Sequence, residues 1–276
     1  LTSDAAPSTK RCRDGGSRPG ARPARPGAPQ RHALFLDVDG TLLSIAAQPD
    51  GVHVSAELCD LLERLQHRLE GAVALISGRS LEDLDRLFAP LVLPAAGVHG
   101  LERRDSRGYC HVPDETDGLA ALRQPLHDFA ARHEGLLLED KGSALALHYR
   151  AAPERRGEAE GLVQDLLAKA PSPLHLTHGK MVLEIRAGGA DKGTAIAAFM
   201  AEAPFAGRIP VFIGDDVTDE DGFRSVNRLG GLSIRVGDSA ATAASYSLPD
   251  EAAVQAWLNA WLIEEEDELM REDETR

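Results

Sequence analysis

The stretch LFLDVDGTLL, Leu34 to Leu43, joins an apolar run to two aspartates, Asp37 and Asp39, followed by Gly40 and Thr41. Leu34, Phe35 and Leu36 suit a strand buried on both faces, which puts Asp37 at its carboxyl end, the edge where open α/β sheets hold ligands. Two carboxylates about 4 Å apart repel by roughly 4 kcal/mol at an effective dielectric of about 20, so both stay ionised only beside a cation. A hard divalent metal is therefore implied. An isolated DxDG reads equally well as a turn whose aspartates merely cap it, so the rest of the chain decides between the two.

The chain of 276 residues has ample material for one large domain or two modest ones. Its formal net charge of -14 disfavours a general binder of polyanions, and nucleic acid is not expected as a partner. The three cysteines, Cys12, Cys59 and Cys110, are odd in number and widely spaced, matching neither a disulfide framework nor a zinc site, and they fit a reducing cytoplasm. No run of 18 apolar residues and no apolar secretory segment is present, so neither membrane nor export is expected. No obligate protein partner is implied. Lysine is scarce, with five residues against 25 arginines, and Lys141, Lys180 and Lys192 fall in stretches singled out below.

Working outward from the first strand, residues 1–30 are rich in Pro, Gly, Ser and Arg, and they read as a disordered arm. Leu58, Leu61, Leu62, Leu65 and Leu69 recur at helical spacing between Ser55 and Leu69. The continuous apolar run Ala72 to Ile76 then predicts a second buried strand that delivers Ser77, Gly78 and Arg79 to the same sheet edge, with Ser80 and Asp83 capping the next helix. A hydroxyl and free backbone N–H groups at such a junction suit a phosphate oxygen or an ordinary cap. A third strand is expected over Leu91 to Ala96, running into Gly97, Val98, His99, Gly100, Leu101 and Glu102. Taken alone, those glycines favour a plain hairpin turn over a ligand loop.

From about residue 113 the pattern changes to two amphipathic helices, near 117–132 and 154–169, alternating with segments of period two, a separate α+β unit. In one such segment Lys180, Val182, Glu184 and Arg186 share a face while Met181, Leu183 and Ile185 share the other. The same spacing pairs Glu139 with Lys141 and His148 with Arg150. Either this polar face binds hydroxyls and phosphate, or it is the solvated side of an ordinary antiparallel sheet. The α/β pattern resumes with Asp191, Lys192 and Gly193 opening a helix. The strand Ile209 to Ile213 follows, then Gly214 and the acidic run Asp215, Asp216, Val217, Thr218, Asp219, Glu220 and Asp221. That run fails as an EF-hand loop, since Val217 and Glu220 stand where an oxygen ligand and a glycine are required. A strand over Leu232 to Val236 and a helix from Asp250 through Trp257 and Trp261 complete the fold, with both tryptophans as core anchors.

Four strand-end signals thus stand in order: Asp37 with Asp39, Ser77, Lys192, and Asp215 with Asp216. Together they resemble the four motifs of the haloacid dehalogenase superfamily of phosphatases, over about residues 31–265. Ser77 lies 40 residues after Asp37, but Lys192 lies 115 after Ser77, so the insertion falls where sugar-phosphatase members carry an α+β cap. Within the superfamily LFLDVDGTLL, LISGR, GVHGLE, LEDKGSALALHYR, GKMVLEIR, DKG and GDDVTDED look like those of the trehalose-6-phosphate phosphatases. The resemblance implies a Rossmannoid α/β core with a parallel sheet at 31–112 and 188–265. It also implies an inserted cap domain at 113–187, leaving an acidic tail at 266–276.

The same likeness implies Mg²⁺ held by the Asp37 carboxylate, the Asp39 carbonyl and Asp215. Asp37 would be the nucleophile that forms an aspartyl-phosphate, Asp39 the acid and then base, and Ser77 and Lys192 the holders of phosphate oxygens. Gly100, Glu102, Glu139, Lys141, Arg150, Lys180 and Glu184 would grip the sugar, with Asp216 and Asp219 in support or simply as acidic residues at a helix start. The expected reaction is hydrolysis of trehalose 6-phosphate to trehalose and phosphate. The alternatives are another sugar phosphatase acting on sucrose phosphate or a phosphoglycerate derivative, a phosphomutase, and a catalytically silent regulator that binds sugar phosphate.

Overall fold

The computed structural model describes residues 21–24, 28–44, 53–112, 117–179, 181–238 and 241–262. Most of the arm expected at 1–30, the tail expected at 266–276, Lys180 and Cys12 lie outside the described residues. The helices and strands follow in the order β1 (His32–Leu36), α1 (Ala56–Arg68), β2 (Val73–Ile76), α2 (Leu81–Phe88), β3 (Ala95–Gly97), β4 (Glu102–Arg104), β5 (Cys110–His111). Then come α3 (Asp117–Arg132), β6 (Leu137–Asp140), β7 (Ala144–His148), α4 (Arg156–Lys169), β8 (Leu174–Gly179) and β9 (Val182–Ala187). The chain continues through α5 (Lys192–Met200), β10 (Ile209–Gly214), α6 (Glu220–Arg228), β11 (Leu232–Val236), β12 (Tyr246–Leu248) and α7 (Glu251–Asn259).

Every residue of β1 is buried because the strand runs between two parallel neighbours, β10 and β2, and is covered on both faces. The large sheet has the order β12-β11-β10-β1-β2-β3-β4-β5, parallel from β12 to β3 and antiparallel at β4 and β5. Its core gathers leucines of α1 and α2 with Phe35, Phe199, Phe205, Phe212 and Phe223. The Phe35 ring stands 5.4 Å from Phe205 and 6.0 Å from Phe199. Trp257 and Trp261 are buried as expected, with ring centroids 5.2 Å apart, although Trp261 lies beyond the end of α7. Helix starts follow the expected capping chemistry: Ser55, Ser80, Asp191 and Asp250 each accept a backbone N–H in the first turn.

The third strand is shorter than Leu91 to Ala96, beginning only at Ala95. Pro90 and Pro94 remove two backbone donors from that approach. On the far edge, Ser247 N donates to the Ala21 carbonyl at 3.1 Å and Trp257 Nε1 to the Ala24 carbonyl at 3.2 Å, so residues 21–24 lie along β12.

The second sheet is antiparallel, in the order β6-β7-β9-β8. Leu145, Leu147, Leu183 and Ile185 face α3 and α4, packing on Leu119, Leu122, Leu126, Ala159 and Val163. Met181 does not join that apolar face: it precedes β9 at φ 67° and is 39% exposed. On the opposite face Glu139, Ala146, Glu184 and Thr177 stand in one cross-strand row. Helix α4 starts at Arg156, two residues later than expected, because Pro153–Arg155 forms a 3₁₀ turn first.

Candidate active site

Strand β1 ends at Leu36, and Asp37 N donates to the Ile213 carbonyl at 2.9 Å, which pins the first aspartate between β1 and β10. Thr41 Oγ1 donates to Asp37 Oδ2 at 3.0 Å. The loop turns at Gly40, where φ is 87° and an added Cβ would stand 2.3 Å from Asp215 Oδ2, so only glycine brings this loop against the end of β10.

Lys192, the first residue of α5, buries its ammonium between two carboxylates, donating to Asp37 Oδ1 at 2.7 Å and Asp219 Oδ1 at 2.6 Å. Asp219 is fully buried, and its Oδ2 accepts from the N–H groups of Asp215 and Asp216 at 3.0 and 2.9 Å. Asp219 therefore organises the acidic loop, and its location in the helix-start run explains why its side chain reads as an ordinary cap in the sequence. Asp216 turns its carboxylate to the adjacent Val217 N–H.

Oxygens of Asp37, Asp215 and Asp219 lie within 4.8 Å of one another. Burial and the Asp219 charge, opposed in part by Lys192, push the Asp37 carboxyl well above the ordinary range. Burial together with the Asp219 and Asp216 charges pushes Asp215 up to about 7. Burial alone would lower the Lys192 ammonium, but Asp219 and Asp37 overcome it and hold the charge. One cation thus serves more negative charge than it balances. Asp215 Oδ1 is buried without a hydrogen-bond partner, and a hard oxygen donor set with an open atom is chemistry that a hard metal ion fits. The expected set of Asp37, Asp39 and Asp215 gains a third converging side chain in Asp219, while the Asp39 side chain goes elsewhere.

That side chain forms a two-pronged pair with Arg79, whose Nε and one terminal nitrogen each donate at 2.7 Å. Arg79 stands beside Ser77 in the sequence, but its contact with Asp39 spans 40 positions and leaves no local pattern. Ser77 is buried at the end of β2, where its Oγ accepts from Arg79 N at 3.1 Å.

The second sheet meets this edge through three contacts. Lys141 Nζ donates to the Gly78 carbonyl at 2.7 Å and to Glu184 Oε2 at 3.0 Å. Ser143 Oγ donates to Glu102 Oε1 at 2.8 Å, and Leu81 N donates to Glu102 Oε2 at 2.9 Å. Glu102 thus spends both oxygens on protein donors and ties the two sheets together. Gly100 packs under α5, where a Cβ would meet the Asp191 carbonyl at 2.6 Å. His99 Nε2 stands 3.2 Å from Glu184 Oε1. Glu139 pairs with His148 at 2.8 Å, and burial is outweighed by His148 and Lys141, which hold its carboxyl below the usual range. Arg150 is exposed just beyond β7.

A buried aspartate beside a fixed ammonium and further carboxylates suited to a metal matches the requirements of phosphoryl transfer, which depends on placing charge around a dianion. The family model described as trehalose-phosphatase matches residues 35–252. A Sinorhizobium fredii (strain NBRC 101917 / NGR234) protein described as a probable trehalose-phosphate phosphatase is 49% identical over 229 residues, covering 83% of this chain and 86% of the relative. The trehalose-6-phosphate phosphatase of Escherichia coli (strain K12) is 47% identical over 229 residues, covering 83% and 85%. In fold, the C-terminal domain of the Candida albicans trehalose-6-phosphate phosphatase superposes with a TM-score of 0.76 at 21% identity, covering 88% of this chain and 98% of that one. The chain therefore belongs to the trehalose-phosphatase family, phosphatases with the haloacid-dehalogenase-like fold.

Proposed function

We propose that the protein hydrolyses trehalose 6-phosphate to trehalose and phosphate with Mg²⁺ as its metal, through an aspartyl-phosphate on Asp37. The observation that carries this reading is the convergence of buried Asp37 and Asp219, both bonded to Lys192, with half-buried Asp215. Asp37, the Asp39 carbonyl and Asp215 would hold Mg²⁺, with Asp219 alongside; when bound, the ion neutralises charge on the ester so that an anionic side chain can approach it. Lys192 and the Ser77 hydroxyl hold phosphate oxygens.

Asp37 attacks phosphorus in line with the leaving sugar oxygen, and Asp39 gives that oxygen its proton. Asp39 then takes a proton from the water that cleaves the aspartyl-phosphate. Both Asp39 oxygens accept from Arg79, so Asp39 turns to the sugar oxygen when substrate loosens that pair.

The unit at 113–187 acts as a cap whose polar face, with Glu139, Lys141, Arg150, Lys180 and Glu184, receives the sugar. Gly100 and Glu102 shape the junction beneath it. Binding energy from the remote ring then positions the phosphate and excludes water during the first half-reaction. The free thiols of Cys59 and Cys110 fit a reducing cytoplasm, and among the described residues no helix is long and apolar enough to cross a membrane.

Phosphate release across a panel of sugar phosphates, with and without Mg²⁺, tests the reading. Trehalose 6-phosphate is expected to give the highest kcat/KM, lost with chelator and in Asp37→Asn. Preference for sucrose phosphate or a phosphoglycerate overturns the substrate. In the same assay Lys141→Ala is expected to impair trehalose 6-phosphate turnover much more than that of a small aryl phosphate. Equal losses on both would remove the cap from recognition.

A further inference from the structure

The turn between β3 and β4 holds two consecutive non-glycine residues in left-handed backbone, Val98 at φ 46° and His99 at φ 54°, ψ 30°. A β-branched residue there is a genuine outlier, and such conformations persist where the surrounding structure overrides them, commonly at functional sites. What this backbone achieves is the placement of the His99 ring. The ring fills the space beside Gly78, where a Cβ would meet Cε1 and Nε2 at 2.7 Å. From there Nε2 reaches the second sheet, 3.2 Å from Glu184 Oε1.

The other Glu184 oxygen accepts from Lys141, which in turn donates to the Gly78 carbonyl. Gly78, His99, Glu184 and Lys141 therefore close a ring of contacts that crosses from one sheet to the other. The His99 and Glu184 side chains in it are only 15% and 7% exposed. Two atoms of this ring, His99 Nδ1 and Glu184 Oε1, are buried without a hydrogen-bond partner. The contact itself runs from His99 Nε2 to Glu184 Oε1, which leaves Nδ1 outside it and leaves Oε1 with room for a further donor. Buried polar atoms left open require an explanation, and a ligand hydroxyl entering beside Glu184 supplies one.

We propose that His99 is a positioning residue for substrate recognition, holding Glu184, and through it Lys141, in the orientation in which that carboxylate accepts a sugar hydroxyl. The proposal rests on the sugar-phosphatase reading given above and adds to it a residue on the large sheet that acts on the cap's binding face. His99 touches neither phosphate nor metal in this scheme. Its imidazole fixes where the cap's carboxylate stands relative to the Ser77 end of β2.

Two substitutions separate this role from mere packing. His99→Gly frees the strained backbone and His99→Asn retains a residue tolerant of it, and neither reaches Glu184 with an imidazole. Both are expected to raise KM for trehalose 6-phosphate about tenfold or more with kcat little altered, the pattern of lost uniform binding. The loss is expected to be much smaller on 4-nitrophenyl phosphate. Adding Glu184→Gln to His99→Asn is expected to cost less than the two single losses combined, because both act through one contact.

An unchanged KM in both folded variants overturns the proposal, as does an equal loss on the two substrates together with a lowered thermal midpoint. If the wild-type enzyme releases no phosphate from trehalose 6-phosphate, the substrate reading alone fails. The same variants, compared on the sugar phosphate it does hydrolyse, then decide the role of His99.

Discussion

At the scale of single residues, the Lys192 ammonium is the group on which the charge balance of the site turns. It is 3% exposed and bonded to two carboxylates that are 5% and 0% exposed. Removing one member of a buried ion pair leaves the others uncompensated, typically at about 3–5 kcal/mol. Lys192→Met is expected to lower stability by about that much at pH 8 in metal-free buffer. The deficit shrinks toward pH 5, where Asp215 takes up a proton. Urea unfolding at the two pH values checks the difference, and an equal deficit at both contradicts it. Asp37, Ser77, Lys192 and Asp215 were legible in the sequence because each follows a recognisable strand or opens a helix. Arg79 and His99 were not, since their partners Asp39 and Glu184 lie 40 and 85 positions away and meet them only through the fold.

Among the elements, the β3–β4 hairpin does more than turn the chain. It presents Glu102, whose two oxygens join the start of α2 to Ser143, just before β7. Ser143→Ala strands a buried carboxylate oxygen, and a cost of about 1–3 kcal/mol is expected. Chemical denaturation measures it, and a neutral result would mean that water replaces the hydroxyl. Strands β1, β2 and β10 were legible as continuous apolar runs, which suits parallel strands covered on both faces. By contrast β5 and β12, with two and three residues, are too short to carry a period and owe their existence to neighbours already in place. The polar face of the second sheet was visible as alternation, but which groups it touches was not, because alternation fixes a face and not its partner.

For the whole molecule, the acidic site is expected to make stability depend on pH and on added Mg²⁺ together. Asp215 sits at about 7 when folded, against 3.8 for a free aspartate. The folded form therefore binds more protons between those values, and its contribution to stability is complete below pH 3.8 and lost as pH rises through about 7. Metal-free protein is expected to show a thermal midpoint that falls across this window, with Mg²⁺ raising the midpoint more at pH 8 than at pH 5. Parallel curves with and without the ion would count against Asp215 as a metal ligand. A change of pattern near residue 113 and the long gap between Ser77 and Lys192 pointed to a second unit there, since an insertion leaves the order of the strand ends intact. How firmly it is tied down was not legible, because the ties are single side-chain contacts made by Lys141, Ser143 and Glu184.

The few residues at 21–24 that run beside β12 have a consequence for how the molecule behaves in company. An outermost strand with bare amides invites the strand of a neighbouring molecule to add itself, the first step toward a growing aggregate. Here the Ser247 amide is already taken by Ala21 and the Trp257 indole by Ala24. A stretch without catalytic groups thus covers one amide of that edge, a selvedge where one copy could otherwise be stitched to the next.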